Sequence, residues 1–310
     1  MGIVGGLDIG GTTTNAVLIQ QDGKQLATGT APTPAREGGE AMLRTATSLL
    51  SGLLADVPRS RLVAVGAGAA GVVDIESGTI LASSDSFRDW TAFPLGPRLS
   101  ESLLVPALVV NDVDAFCLGQ LTVVRSKGMD TFMGLTIGTG IGGALVLDGS
   151  IYRGANGAAG EIGHTSGYGS EACTCGGFGH LESKASGRSI ATRYARKIGE
   201  PSDLSASEVA TYARRGDSRA REVFRDAGQA LGQAMVTVAT LLDNVNFILG
   251  GGVLHAWDLI EPGVHTEISE NPPVSKQDLC ITLSSMGPWA AAVGAAAAAN
   301  EEFEKGVVRC

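Results

Sequence analysis

The sequence predicts a duplicated α/β fold of two domains, and three observations lead there. A strand, a glycine turn and a second strand occur twice, at residues 3–19 and 132–147. Short apolar runs of strand character alternate with longer stretches of helical period. The length of 310 residues suits two domains of about 150 each.

Residues 3–8 read as a strand, followed by a Gly/Thr turn and by strands at 15–19 and 25–30, with Asp22-Gly23 as the hairpin signal between the last two. Residues 40–54 carry apolar side chains at helical spacing and are followed by the breaker Pro58. A buried strand is expected at 62–66, a glycine-rich turn at 68–74, and a strand at 104–110 that ends on Asn111-Asp112, where a helix begins. In the second half, 132–137 is a strand, 138–143 a glycine turn and 144–147 a returning strand. Helices are expected at 181–198, 206–214 and 218–242, a strand at 245–249 leading into Gly250-Gly251-Gly252, and a last helix at 289–304. The domain boundary is expected near 111, giving domains 1–110 and 111–310, with a helix at about 289–305 returning to the first.

Hydrophobic residues make up 44% and charged residues 18% of the chain, the balance of a globular protein with a large core. A net charge of −9 without clustered Lys and Arg argues against nucleic acid. The start lacks the basic and apolar stretches of a signal peptide, and no apolar run approaches a membrane span. Five cysteines in a chain of this length are not a secreted disulfide framework. The expectation is a cytoplasmic protein with no membrane or nucleic-acid partner.

Asp8-Ile9-Gly10-Gly11-Thr12 follows a strand. Its glycines allow a turn whose N–H groups face phosphate oxygens, Thr12 adds a hydroxyl, and Asp8 is placed to hold Mg²⁺ through water. An ordinary hairpin turn is the other reading. Residues 66–71 and 138–143 both match GxGxxG, yet strand-like sequence follows each, whereas a dinucleotide fingerprint requires a helix there. The Walker pattern is absent. Cys173, Cys175 and His180, with His164 nine residues before Cys173, provide four ligands, the count of a closed tetrahedral Zn²⁺ site. Two free thiols and two surface histidines are the alternative. Asp112 reads either as a base at a strand end or as a cap of the helix that follows.

The pieces DIGGT at 8–12, GAAGVVD at 68–74, ND at 111–112, IGTGIGG at 137–143, GAAGEIGH at 157–164, CTCGGFGHLE at 173–182 and LGGGV at 249–253 form an ordered set. In order and spacing it resembles the actin-like sugar kinase superfamily, and more narrowly the ROK family of repressors, unassigned reading frames and kinases. The resemblance implies a duplicated actin-like (ribonuclease H-like) fold with an interdomain cleft. It implies an ATP-dependent hexose kinase acting on the 6-hydroxyl of glucose or of an amino or N-acetylamino sugar, assembled as a homodimer.

It further implies that Asp112 is the catalytic base, and that Gly71, Asn111, Asp112, Glu161, His164 and Glu182 bind the sugar. Asp8, Gly10, Gly11, Thr12, Thr13, Gly138, Thr139, Gly140, Gly251 and Gly252 would bind ATP with Mg²⁺. His164, Cys173, Cys175 and His180 would hold a structural Zn²⁺ in a loop at 164–182, with His164 serving zinc, sugar or both. Loss of that metal is expected to weaken sugar binding far more than nucleotide binding. The chain departs from the family at His180, usually Cys, at Asp114, usually Asn, at Gln120, often Glu, and at Ala70, often Pro. It also lacks the Asn that usually stands shortly before Trp90. A DNA-binding repressor is disfavoured because seven residues precede Asp8. A polyphosphate-dependent glucokinase and a specialised aminosugar or cyclitol kinase remain as alternatives.

Overall fold

A computed structural model describes residues 2–55, 61–199 and 203–306; Pro58 lies outside the described residues. Two five-stranded sheets share one topology. In the first, β1 (Ile3–Ile9), β2 (Thr13–Gln20) and β3 (Gln25–Pro32) form an antiparallel meander. β4 (Leu62–Ala69) then pairs parallel to β1, and β7 (Ala107–Asn111) parallel to β4, for the order β3-β2-β1-β4-β7. The second sheet, β10-β9-β8-β11-β12, repeats this arrangement. Its strands are β8 (Phe132–Ile137), β9 (Ile141–Leu147), β10 (Ser150–Tyr152), β11 (Asn246–Gly250) and β12 (Cys280–Leu283), with β8, β11 and β12 parallel. The expected duplication is present strand for strand. A ribbon of β5 (Val72–Asp74) and β6 (Thr79–Ala82) completes the strands.

The chain divides into two compact units, Met1–Asp130 with Leu145–Ala159 and Ser285–Cys310, and Thr131–Ala144 with Gly160–Ser284. The boundary expected near 111 falls inside the first unit, because α3 (Asp112–Val124) packs against α9 (Ala290–Glu304) and β4.

Alternation along β1 explains the layers of the first unit. Ile3, Leu7 and Ile9 point to one face and pack with Leu43 and Leu50 of α1 (Gly39–Leu53) and Leu95 and Leu99 of α2 (Leu95–Leu103). Val4 points to the other, against Ala292, Ala296 and Ala299 of α9. α9 is alanine-rich because it lies almost on the backbones around it. A Cβ on Gly66 would come within 1.8 Å of the Ala295 carbonyl oxygen, and one on Gly294 within 1.8 Å of that of Ala115 in α3.

In the second unit, α7 (Ser218–Leu242) contacts α4 (Leu181–Ala185), α5 (Gly187–Ile198), α6 (Ala206–Arg214) and α8 (Trp257–Glu270). Its buried stripe includes Val223, Phe224, Leu231 and Met235, the helical spacing visible in the sequence. No helix among the described residues is long and apolar enough to cross a membrane.

Several local expectations change. Gly68 is not in a turn but inside β4, paired with Asp8 and Val110; a Cβ there would sit 2.8 Å from the Cβ of Ala115. The turn is Ala70-Gly71, where Gly71 has φ +111°. Residues 141–143 belong to β9, which shortens the glycine turn to Gly138–Gly140. The helix expected at 181–198 is broken at Ser186, whose extended backbone lets its hydroxyl accept the Ser189 amide and start α5. β7 begins at 107 rather than 104, since Leu104 takes a left-handed conformation that ends α2.

Gly294→Val should lower stability by ~3 kcal/mol or more, because neither backbone at the α3–α9 crossing can withdraw. Gly52→Ala in α1 meets nothing within 4 Å and should stabilise by ~0.5–1 kcal/mol. Urea denaturation of both variants tests the contrast, and equal effects would refute it.

Candidate active site

The C-terminal ends of the parallel strands β1, β4 and β7 place Asp8, the Ala70-Gly71 turn and Asn111 side by side. Asn111 caps α3: its Oδ1 accepts from the Val113 amide at 2.8 Å and the Asp114 amide at 3.1 Å. Its Nδ2 donates to the Gly71 carbonyl at 3.0 Å. Trp90 Nε1 donates to the Ala70 carbonyl at 2.9 Å, so the turn is held from two sides. Asp112 follows the cap as the first residue of α3, with Asp114 two residues on. The helix dipole favours negative charge at both positions.

Three carboxylates converge here, and each is pushed above its ordinary range. Desolvation is the leading cause for Asp8, with the Asp112 charge adding to it and the Asn15 amide opposing; the result is a pKa of about 7. Desolvation also raises Asp112, against hydrogen bonds from Val113 and Asn111. Asp114 is raised by desolvation and by Asp112, while the Arg153 guanidinium draws it back. Both Asp8 and Asp112 are half-buried rather than sealed, so they remain open to solvent and ligands.

Asn15 and Arg153 escaped the sequence reading, and Trp90 entered it only as a landmark with no role assigned. Asn15 is buried opposite Asp8 in the β1–β2 register and donates to Asp8 Oδ2 at 3.2 Å and to the Pro288 carbonyl at 3.2 Å. A buried Asn directly across a hairpin from an Asp was a usable signal. Arg153 Nε lies 3.3 Å from Asp114 Oδ2. Nothing in the 39 residues of separation announced that pair. Asp114, which departs from the family's Asn, therefore stands beside a compensating cation.

The first unit also carries Gly10, Gly11 and Thr12 between β1 and β2, with Thr13 opening β2. The Gly10 amide donates to the Thr13 carbonyl at 3.1 Å, which makes a tight hairpin turn. In the second unit, Gly138, Thr139 and Gly140 form the β8–β9 turn. Gly251, at φ +99°, lies against Ile137: a Cβ there would be 2.4 Å from the Ile137 carbonyl oxygen. The Gly187 amide at the start of α5 donates to the Gly138 carbonyl at 2.8 Å. The two glycine segments and the N-terminus of α5 thus converge, an arrangement suited to anionic oxygens.

Also in the second unit, His164, Cys173, Cys175 and His180 offer ligand atoms that all lie within 4.8 Å of one another. Cys173 Sγ is 3.7 Å from His164 Nδ1, and Cys175 Sγ is 3.2 Å from His180 Nδ1. Ligands at ~2.0–2.3 Å from a tetrahedral Zn²⁺ stand ~3.3–3.8 Å apart, so the donor set fits that ion with little contraction. His164 turns its other nitrogen, Nε2, to Glu161 Oε2 at 4.0 Å, so one ring can serve metal and carboxylate together. Burial, with the Cys175 thiol and Glu182 carboxylate nearby, pushes the Cys173 thiol up; a bound cation would reverse this.

Glu182 lies where a sugar contact was expected, but its carboxylate is largely engaged. Oε2 accepts the Ile141 amide at 3.0 Å, and Oε1 accepts from Thr174 Oγ1 at 2.9 Å, with Cys173 Sγ at 3.6 Å. The expectation that losing the metal weakens sugar binding far more than nucleotide binding loses part of its basis, because Glu182 touches both the metal loop and the glycine turn.

The family profile described as "ROK family" matches residues 4–302. A glucokinase of Halalkalibacterium halodurans is 31% identical over 83% of this chain and 82% of its own. An N-acetylmannosamine kinase of Escherichia coli is 30% identical over 88% and 90%. The crystal structure of a ROK family glucokinase from Streptomyces griseus, in complex with glucose and AMPPNP, superposes with a TM-score of 0.84. It is 27% identical and covers 97% of this chain and 100% of that one. Fold and relatives together define a kinase with the actin-like ATPase fold. Within that class, the chain belongs to the ROK family.

The raised Asp8 fixes a pH dependence. A carboxylate whose folded pKa lies above its unfolded value of 3.8 favours the folded state while protonated, and stability falls as pH rises from there to about 7. In protein free of metal and nucleotide, Asp8→Asn should raise the unfolding midpoint by ~2–4 °C at pH 8 and by much less at pH 4. Thermal melts at both values test this; an equal gain at each pH would show that the charge is not the cause.

Proposed function

We propose that the protein transfers the γ-phosphoryl group of ATP to a hydroxyl of a hexose. The observation that carries this is Asp112: a half-buried carboxylate at the end of β7 and the start of α3, with its basicity raised by desolvation. A sugar hydroxyl is a weak nucleophile at neutral pH. A carboxylate of raised pKa within hydrogen-bond reach orients it and accepts its proton as the bond to phosphorus forms. The proton then resides on Asp112 until product leaves. Because phosphoryl transfer depends chiefly on alignment and charge stabilisation, the rigid cap that Asn111 gives Asp112 matters as much as its basicity.

The remaining roles follow residue by residue. Gly71 and Asn111 bind sugar beside Asp112, and Glu161, His164 and the unengaged acceptor capacity of Glu182 bind further hydroxyls, since each carboxylate can accept more than one. Gly10, Gly11, Thr12 and Thr13, together with Gly138, Thr139, Gly140, Gly251 and Gly252, supply amides and hydroxyls to the nucleotide. Asp8 holds Mg²⁺ through its water shell; the ion, when bound, neutralises phosphate charge. The four-ligand cluster holds a structural Zn²⁺ that orders residues 164–182 and supplies no chemistry to the reaction. Glucose is the first candidate acceptor and N-acetylmannosamine the next, in keeping with what the two curated relatives are named for. No structural observation favours polyphosphate as donor or a cyclitol as acceptor. The reading includes a cytoplasmic homodimer, which the sequence resemblance supports.

Two measurements test the reading. In an ADP-release assay across a hexose panel, Asp112→Asn should reduce kcat by ~10²–10⁴-fold while sugar affinity stays within several fold; a wild-type kcat would move the base elsewhere. Elemental analysis of protein never exposed to chelator should find about one Zn²⁺ per chain, and Cys175→Ser should lose it. Uptake should weaken in acid, because thiols and imidazoles must shed protons to bind. Metal-free native protein would remove zinc from the assignment.

A further inference from the structure

Glu182 joins two parts of the second unit that the sequence separates by more than thirty residues. On one side, Oε2 accepts the amide of Ile141, the residue that closes the Gly138–Gly140 turn. A Cβ on Gly140 would lie 2.3 Å from that same oxygen, so the turn admits the carboxylate only as glycine. On the other side, Oε1 accepts the hydroxyl of Thr174, which stands between the two cysteines of the metal cluster. The main chain reinforces the link: Ser189 Oγ donates to the Glu182 carbonyl at 2.7 Å, and the Gly187 amide donates to the Gly138 carbonyl at 2.8 Å.

We propose that Thr174 and Glu182 are positioning residues through which the metal cluster sets the conformation of the phosphate-binding turn, so that metal occupancy governs nucleotide affinity. The proposal rests on the functional reading above for the identity of both sites. Its physical basis is conformational entropy. Gly138 and Gly140 leave the turn free to reorganise, and binding must then pay for its ordering unless something orders it beforehand. The Ile141–Glu182 bond does so, provided the carboxylate is itself oriented. Thr174 orients it, and ligation of Cys173 and Cys175, its neighbours on both sides, to one ion would hold Thr174 in place. Neither Thr174 nor Ile141 is among the residues assigned to bind nucleotide or sugar.

The test is calorimetric titration of Mg²⁺–AMPPNP into zinc-loaded and chelated protein, wild type and Thr174→Val, with zinc content measured throughout. For wild type, removing zinc should raise Kd by about tenfold. For Thr174→Val, the zinc-loaded Kd should already be raised several fold, and chelation should add little. A wild-type Kd indifferent to zinc overturns the proposal while leaving both sites standing. So does a zinc effect in Thr174→Val as large as in wild type. Native protein that holds no zinc, or that fails to bind AMPPNP when loaded, would sink the site assignments and the proposal with them. If chelation unfolds the chain, hydrogen exchange on zinc-loaded Thr174→Val decides: the Ile141 amide should exchange faster than in wild type, and unchanged protection refutes the link.

Discussion

One side chain, Asn111, determines the geometry on which the first unit's chemistry depends. Its carbonyl oxygen caps α3 through two amides, and its amide nitrogen fixes the Gly71 carbonyl of the adjacent turn. Asp112 is the next residue, so the helix cap fixes the carboxylate proposed as base and ties it to the Gly71 turn. The parallel pairing of β1, β4 and β7 brings Asp8 to the same edge. Parallel strands end together, and what stands at their ends is juxtaposed without any local sequence relation.

Placing acids there has an electrostatic consequence. Asp8, Asp112 and Asp114 share a poorly solvated edge, and the Asp112 charge raises the cost of ionising each of the other two. In the ligand-free protein this opposes stability. Under the proposed function, the same arrangement would supply a base and attract a divalent cation, placing the strain where charge is to be neutralised. Arg153 offsets Asp114 and leaves Asp8 and Asp112 as the acids without a cationic partner of their own in the pattern of shifts.

The second unit is organised around a different device, a loop whose four soft ligands already stand at near-tetrahedral spacing. A stretch containing Gly176, Gly177 and Gly179 has little means of ordering itself by packing, and Phe178 at its tip is exposed. The ion proposed for His164, Cys173, Cys175 and His180 would substitute for a core there. Glu161 lies beside His164 and Glu182 accepts from Thr174, so two carboxylates are each within one contact of the four-residue cluster.

Much of this was legible in the linear chain. Short apolar runs such as 3–9 and 132–137, and the helical stripe of 218–242, reported their own elements because each depends on local pattern alone. The repeated strand–turn–strand pattern disclosed the duplication, and the four candidate metal ligands were visible because they crowd into seventeen residues. What the sequence could not determine were distances set by close packing and by strand ends meeting in space. Gly68 looked like a turn residue, yet it is glycine because α3 passes 2.8 Å from where its Cβ would be. Glu182 looked like a free ligand, but its carboxylate is taken up by Ile141 and Thr174. Arg153 had no visible partner until the tertiary structure placed it against Asp114. Local pattern encodes which face a residue presents; only the assembled backbone decides what that face meets.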